Sequence, residues 1–428
     1  NTGLLVVEGL NPTSVNGTGT QATVTLPSYY NGGFALNVVG SSFSPILQII
    51  PVVTGIDVTG VGTAQISGQG FTEANGTVYS WAGGSLTDTA QGTGPDVFSS
   101  ATRANVTLPV QGVGAFTMTT SGGTSAPLTW NVVSPGLGAL IDVAYDPDTS
   151  SLWVADNNNI SRINKTTGAV LNSFDIPVTG STTALGLQFV AAGFTLNGTA
   201  VQAGSLLIAN GSAVNDQFIA VNATTGATIA SLTLGTNFDF VAGVYHAGRN
   251  TLFGLDGSPE QLIEINPANG ATVNTFALGF DVQSGGLAID AANNLWISTN
   301  ANSSIRRFNV TTNTVDQTID LAKDGISSEL TGLANEAPGF VVGSSNRGVV
   351  YFQLDPPVDG AVPAPAVEME LSLSTAGVAT SSASDGSNDT SLAMAFTQQA
   401  PWLSNFVNGG TSQKADDDEL VIALPSGV

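Results

Sequence analysis

"SLWVADNNNISRINKTTGAVLNSFDI", residues 151–176, sets an apolar Leu-Trp-Val beside an asparagine run, then a short alternating segment, then Thr-Thr-Gly. Alternation with period two between turn-forming residues reads as short strands joined by tight corners. The stretch recurs. "SLLIANGSAVNDQFIAVNATTGATIASLTL" (205–234), "TLFGLDGSPEQLIEINPANGATVNTFAL" (251–278) and "NLWISTNANSSIRRFNVTTNTVDQTIDL" (294–321) keep the order: apolar run, polar corner, alternating segment, Asn-x-x-x-Gly or Asn-x-x-x-Asn, alternating segment. Asn164, Asn222, Asn266 and Asn309 take equivalent places, the first step being longer than the two nearly equal steps that follow. The long step contains "FTLNGTAVQAGS", which reads as a loop insertion.

Each unit follows another short apolar strand: "LIDVAYDP" (140–147), "LGLQFVAAG" (185–193), "VAGVYHAG" (241–248) and "GLAIDAAN" (286–293). Four short strands in roughly 43 residues is the period of a β-propeller blade. A fifth unit starts at "LTGLANEAPGFVVGSSNRGVVYFQLD" (330–355) without a clear last strand; "VEMELSLST" (367–375) alternates and would supply that strand or a sixth blade. Over about residues 136–360 the pattern resembles NHL-type and related bacterial propellers. That resemblance rests on period and is silent on chemistry.

The repeat assigns roles to its conspicuous residues. Asn157, Asn158 and Asn159 fall in the turn between second and third strands, where asparagine tolerates left-handed backbone and closes the turn with its side chain. Trp153, Phe253 and Trp296 share one second-strand position, which makes them core residues rather than sugar platforms. The single histidine, His246, aligns with Asp146 and Asp290 at the corner after each first strand, a structural place rather than a catalytic one.

A second repeat lies in front. "ATVTLPSYYNGGFALNVVGSSFSPILQIIPVV" (22–53) matches "ANVTLPVQGVGAFTMTTSGGTSAPLTWNVVSP" (104–135) without a gap, so that one constant offset carries Phe34 onto Phe116 and Pro45 onto Pro127. Val-Thr-Leu-Pro, a turn, Gly-x-Phe, then Ser-x-Pro before a final strand resembles the end of an immunoglobulin-like domain of the IPT/TIG family. Residues 55–89 resemble that family's beginning, with "ISGQGF" in place of its usual Gly-x-Gly-Phe turn. By the same offset Asn1 corresponds to Gly83, so strands equivalent to residues 55–82 have no counterpart in the first copy. Either the chain belongs to a longer array or another molecule completes that domain, since an open sandwich edge is not stable alone.

The expected architecture is all-β. It comprises an incomplete immunoglobulin-like domain at 1–53, a complete one at 54–135, a five- or six-bladed β-propeller at 136–360, and a linker with a C-terminal strand or docking segment at 361–428. In that last part Trp402, Leu403, Phe406 and Val407 have helix-compatible spacing. The final apolar run, Glu419, Leu420, Val421, Ile422, Ala423 and Leu424, reads as an assembly strand. An incomplete sandwich and a spare strand on one chain predict head-to-tail self-association by strand addition.

Nine Lys plus Arg against 32 Asp plus Glu give a net charge of -23, which repels nucleic acid and anionic membranes. No run reaches the roughly 18 apolar residues of a membrane span. Without cysteine the chain has no disulfide, thiolate metal site or cysteine nucleophile. A surface of Thr, Ser, Asn and Gly rather than ion pairs suits an extracellular protein. Eleven sequons, at Asn16, Asn75, Asn105, Asn159, Asn164, Asn197, Asn210, Asn222, Asn302, Asn309 and Asn388, are candidate glycosylation sites.

No hydrolase elbow, zincin helix, phosphate loop or dinucleotide fingerprint is present. "DPDTS" (146–150) offers calcium-compatible oxygens, and an Asp-rich turn explains it equally. NHL-like lactonases place carboxylates and asparagines on first strands in the central channel. The resemblance therefore singles out Asp142, although corresponding places in the other blades hold Gly and Ala. The expected function is an extracellular structural or adhesive protein of a cell-surface filament, layer or giant adhesin, resembling large bacterial and archaeal surface proteins, without catalytic residues, cofactor or metal. The alternatives are a propeller enzyme, lactonase or lyase, and a carbohydrate-binding module; cell-surface glycans or proteins are further candidate partners.

Overall fold

The computed structural model describes residues 50–352 apart from 74–75, 91–93, 99–101, 109–112, 179–184, 212–215, 237, 283, 291, 300–302, 322–329 and 338–339. It also describes strands at 5–7, 14–15, 21–25, 32–38, 46–49, 370–373, 379–380, 395–396 and 419–423. Among the described residues the structure is all-β, without an α-helix.

The front segment holds β1 (Leu5–Val7), β2 (Ser14–Val15), β3 (Gln21–Thr25), β4 (Gly32–Val38) and β5 (Ile46–Ile50). A second module follows: β6 (Val52–Gly60), β7 (Thr63–Gln69), β8 (Thr77–Trp81), β9 (Gly84–Asp88), β10 (Asp96–Phe98), β11 (Arg103–Thr107), β12 (Gly114–Thr120), β13 (Gly123–Thr124) and β14 (Leu128–Trp130). Its strands form two antiparallel sheets, β10-β11-β7-β6 and β13-β12-β8-β9, with β14 on β12. Alternation in these strands buries one face of each sheet, and Ile66, Phe71, Tyr79, Trp81, Phe116 and Met118 fill the space between. Trp81 meets Phe116 edge-on at 5.0 Å.

Next come β15 (Val132–Val133) and five sheets in succession. The first is β16 (Asp142–Asp146), β17 (Ser151–Ala155), β18 (Asn159–Asn164) and β19 (Val170–Asp175). The second is β20 (Leu185–Phe189), then a hairpin of β21 (Phe194–Leu196) and β22 (Thr199–Val201), then β23 (Ser205–Asn210), β24 (Gln217–Asn222) and β25 (Thr228–Thr233). That hairpin is the insertion expected from the long repeat step. The third is β26 (Phe240–His246), β27 (Thr251–Gly257), β28 (Glu260–Ile265) and β29 (Thr272–Ala277). The fourth is β30 (Leu287–Ile289), β31 (Leu295–Thr299), β32 (Ser304–Asn309) and β33 (Thr314–Asp320). The fifth holds β34 (Leu330–Ala337), β35 (Phe340–Ser345) and β36 (Val350–Tyr351).

The first strands β16, β20, β26, β30 and β34 touch in ring order, and β34 touches β16 again, as in a β-propeller. The outer strand of the fifth sheet is β15, pairing Val132 with Tyr351 and Val133 with Val350. This corrects two expectations. "VEMELSLST" supplies neither that strand nor a sixth blade, because a pair of valines upstream of the first blade already fills the edge. The strand it forms, β37 (Glu370–Leu373), pairs instead with β5.

The repeat seen in the sequence is also a repeat in geometry. In the first four blades the ladder between third and fourth strands shifts register at Arg162/Ile163, Ala220/Val221, Glu264/Ile265 and Arg307/Phe308. Just beyond, Asn164 accepts N–H bonds from Thr166 and Thr167, Asn222 from Thr224 and Thr225, Asn266 from Ala268, and Asn309 from Thr311 and Thr312, all between 2.8 and 3.2 Å. Asparagine stands there because its side chain caps the turn. Trp153, Phe253 and Trp296 are buried, and Arg162 and Arg307 lie over the two indoles at 5.8 Å.

The remaining strands are β38 (Ala379–Thr380), β39 (Ala395–Phe396) and β40 (Glu419–Ala423). Trp402, Leu403, Phe406 and Val407, on which the helical spacing in the tail rests, and Leu424 lie outside the described residues. The second module joins the propeller through one continuous hydrophobic cluster that runs from Phe71 and Tyr79 to Trp296 and Leu333. Arg347 of the fifth blade bonds the Val58 carbonyl, with Asp57 at 3.9 Å.

Trp296→Ala should lower unfolding free energy by about 3–5 kcal/mol as a buried aromatic truncation. Urea titration reads it, and a loss below about 1 kcal/mol would mean that the repeated second-strand position is not core.

Candidate functional site

Asp142 lies on the innermost strand of the first blade, 1% exposed. Register within the blades places it level with Gly186, Ala242, Gly286 and Gly332. These five residues form the waist of the ring. A Cβ on Gly332 would overlap the Asp142 carboxylate, and one on Gly286 would overlap the backbone of Gly332. Backbones approach there too closely for side chains, which is why small residues occupy four places.

The fifth place holds a carboxylate because the inner edge of a propeller strand has no neighbour to bond. Asp142 accepts N–H bonds from Val143 at 2.8 Å and from Leu187 at 2.6 Å, and a further backbone bond from Leu333. It thus ties the first blade to the second and fifth. Burial pushes its carboxyl well above the ordinary range, against the pull of those three N–H groups.

The other seams have polar ties of their own. Gln188 bridges the second and third blades, its amide donating to the Tyr245 carbonyl at 3.0 Å and accepting from the Tyr245 N–H at 2.6 Å. His246 accepts from the Arg249 N–H at 3.2 Å and bonds the backbone of Asn293 in the fourth blade. Its place matches those of Asp146, which caps Asp148 and Thr149, and Asp290, which caps Ala292 and Asn294 and accepts from the Trp296 indole. Burial holds the imidazole below its usual pKa. Between the fourth and fifth blades, Ser298 Oγ accepts from the Gly286 N–H and donates to the Leu330 carbonyl. Thr331 closes the ring on the Leu140 carbonyl at 2.8 Å.

On one side of the waist the channel widens into a cavity of about 390 Å³. Its wall is mainly apolar, with Val143, Leu187, Phe189, Val244 and Ile289, and Tyr145 and Tyr245 bring the aromatic surface. At its rim Glu336 is paired with Lys165, and Asp290 is committed to its corner. The oxygens of "DPDTS" are likewise engaged: Asp146 holds the Thr149 hydroxyl at 2.7 Å besides its two N–H groups. Among the described residues no three His, Asp or Glu side chains gather in a metal-holding group.

Two buried carboxylates elsewhere escaped the sequence reading. Glu264 sits under Arg249, which donates two bonds at 2.7 and 3.1 Å, with Thr251 and Asn274 beside it. Burial alone would raise Glu264, but these donors hold it below its ordinary pKa. Asp216 is raised to about 7 by burial, the Phe238 N–H pulling down and Asp256 and Asp239 adding repulsion. No local motif marks Asp216 in "AVNDQF"; only the packing of the second blade against the third does.

The sequons divide by environment. Asn105, Asn197 and Asn222 are exposed, and Asn159, Asn164 and Asn309 are half-buried. Asn210 is 1% exposed in the interior of the second blade, where a glycan has no room. Asn16, Asn75, Asn302 and Asn388 lie outside the described residues.

The tail strand has a definite position in the fold. The offset that carries Phe34 onto Phe116 also carries β3 onto β11 and β4 onto β12, end to end. On β11 the antiparallel partner is β7, Ala104 facing Ile66 and Asn105 facing Gln65. On β3 it is β40, Ala22 facing Ile422 and Thr23 facing Val421. Residues 419–423 therefore stand, register for register, where residues 63–67 stand in the second module.

No protein-family model matches the sequence, and no curated protein does. Solved structures similar to this chain include β-propeller proteins. Virginiamycin B lyase from Staphylococcus aureus is 10% identical over 82% of this chain and 95% of its own, with a TM-score of 0.32. Myxococcus xanthus glutaminyl cyclase is 10% identical over 50% and 90%, with a TM-score of 0.37. The WD40 β-propeller domain of Doa1 is 11% identical over 70% and 97%, with a TM-score of 0.34. The likeness concerns the fold alone.

Native Asp142 and Asp216 hold protons that the unfolded chain releases from about pH 4 upward. Their stabilising contribution is full below that pH and is lost as pH rises, by about pH 7 for Asp216. Asp216→Asn and Asp142→Asn should each flatten the fall of the urea midpoint with pH; slopes unchanged from the parent would refute it. Asp142→Ala, which strands three buried N–H groups, should cost about 2–4 kcal/mol at pH 5.

Proposed function

We propose that the chain is an extracellular structural or adhesive protein, a subunit of a cell-surface filament, layer or giant adhesin. In this reading the second module is an immunoglobulin-like domain of IPT/TIG type, the front segment is a second such domain closed by the tail, and the propeller is an NHL-like spacer or display unit. One observation carries it. The polar groups at the waist and seams, Asp142, Gln188, His246, Ser298 and Thr331, are committed to joining blades, so among the described residues the channel shows no acid, base and nucleophile converging on a reacting atom. A surface that is poor in charge pairs and rich in Thr, Asn and Gly supports the extracellular setting.

The apolar cavity favours a second reading, a small-molecule site serving a lactonase, a lyase or a carbohydrate-binding module. Tyr145, Phe189 and Tyr245 would contact such a ligand.

Immunogold electron microscopy of the producing cells tests the first reading, which expects label on exterior filaments or layers. Label confined to the cell interior would overturn it, and so would a hydrolase or lyase turnover that Tyr245→Ala abolishes without unfolding. In glycopeptide maps of native protein, any glycans on the propeller should fall on turn asparagines such as Asn197 or Asn222; modified Asn210 would contradict the fold of the second blade.

A further inference from the structure

We infer that β40 is exchangeable between copies, the partner of the front module being a second copy of this chain that inserts its own residues 419–423 beside β3. The inference rests on the structural-subunit reading above and names the contact through which the subunits join.

The acceptor is defined by comparison within the chain. β11 is paired on one side by β10 and on the other by β7. β3 is paired on one side by β2 and on the other by β40. The donor matches its place in chemistry as well as in register. In the second module, residues 64 and 66 of β7 are Ala64 and Ile66, both in the core; Leu420 and Ile422 occupy the corresponding register positions, so both core-register places stay apolar. Gln65, whose amide bonds Asn105 on the exposed side, corresponds to Val421.

Nothing in this ladder distinguishes a strand of the same chain from one of a neighbour. The bonds, register and side chains are identical in either case, so exchange sacrifices no contact and the tether and the concentration decide the outcome. The propeller ends beside Asn131, where the Phe352 N–H meets its carbonyl at 2.8 Å, so the tail leaves from the junction of module and propeller. Between Phe352 and β37 lies the segment 353–369, which includes Pro356, Pro357, Pro363 and Pro365. Fully extended it reaches roughly 60 Å, enough for the tail from β37 to β40 to be handed as a whole to a neighbouring subunit. Acceptor and donor are different surfaces on each copy. The contact is therefore heterologous and continues into an open chain of subunits unless its rotation closes a ring.

The native chain contains no cysteine, so engineered thiols report unambiguously. Two full-length variants, one with Thr23→Cys and one with Val421→Cys, are mixed, denatured, refolded together at increasing concentration and oxidised; the pair Ala22→Cys and Ile422→Cys repeats the test at the neighbouring rung. Exchange predicts a disulfide-linked dimer of the two different variants, rising with concentration. It also predicts that one chain carrying both substitutions gives a covalent ladder on a non-reducing gel and polymers by electron microscopy. If the doubly substituted chain closes only on itself at every concentration and the mixed variants never link, exchange is overturned while closure of the front module by its own tail stands. If neither format links at either rung, the register itself is wrong, and the reading of the front segment falls with it.

Discussion

Five strands have to meet around one axis, and the narrowness of that meeting governs the molecule. At the waist, backbones come so near that three glycines and an alanine are what fits beside Asp142. The inner edges of these strands carry N–H and C=O groups that no sheet neighbour can satisfy, and leaving them dry costs more than most single contacts return. Asp142 answers for three of them. Gln188, His246, Ser298 and Thr331 answer for the seams that Asp142 does not reach or reinforce those that it does. The polar residues at the waist and seams thus serve the closure of the ring, and the cavity beyond them is mainly apolar, with Asp290 and Glu336 at its rim.

A propeller assembled from consecutive four-strand units has one seam where the chain must find its own beginning. Here the fifth blade takes its outer strand from Val132 and Val133, so the sheet cannot be completed without residues that the sequence repeat assigns to the preceding module. The front module solves a similar problem over a longer distance, with a strand drawn from the far end of the chain. Both closures place the last rung of a ladder in the hands of a remote segment, and both make stability of one unit depend on the presence of another.

Much of this was legible in the sequence because it was repeated. Equivalent asparagines, second-strand aromatics and corner residues recur at a fixed spacing, and each recurrence pins a strand boundary; His246 was recognisable as structural because Asp146 and Asp290 stand in its place. The constant offset between the two front copies carries β3 onto β11 and β4 onto β12 end to end. What escaped notice was what occurs once. The two valines of β15 read as part of the final strand of the preceding module, and the unfilled edge of the fifth unit was given to residues 367–375 instead. Asp142 was legible as a channel residue, but two of its bonds come from Leu187 and Leu333, far along the chain, and depend on the waist being narrow. Asp216 and Glu264 are set by packing across a seam and between strands, which no local period encodes.

The junction at Asn131 and Phe352 has a mechanical meaning. The propeller's chain enters and leaves at the same point, with β15 paired to β36 and the Phe352 amide bonded to Asn131. Tension applied between the second module and the chain leaving at Phe352 falls on these few bonds, beside the β5–β37 and β3–β40 ladders that also join front and tail, before it reaches the other four blades. The propeller hangs beside the line of force as a pendant: load reaches its blades only when that short clasp opens, and then meets the blade ladders and seam bonds one after another.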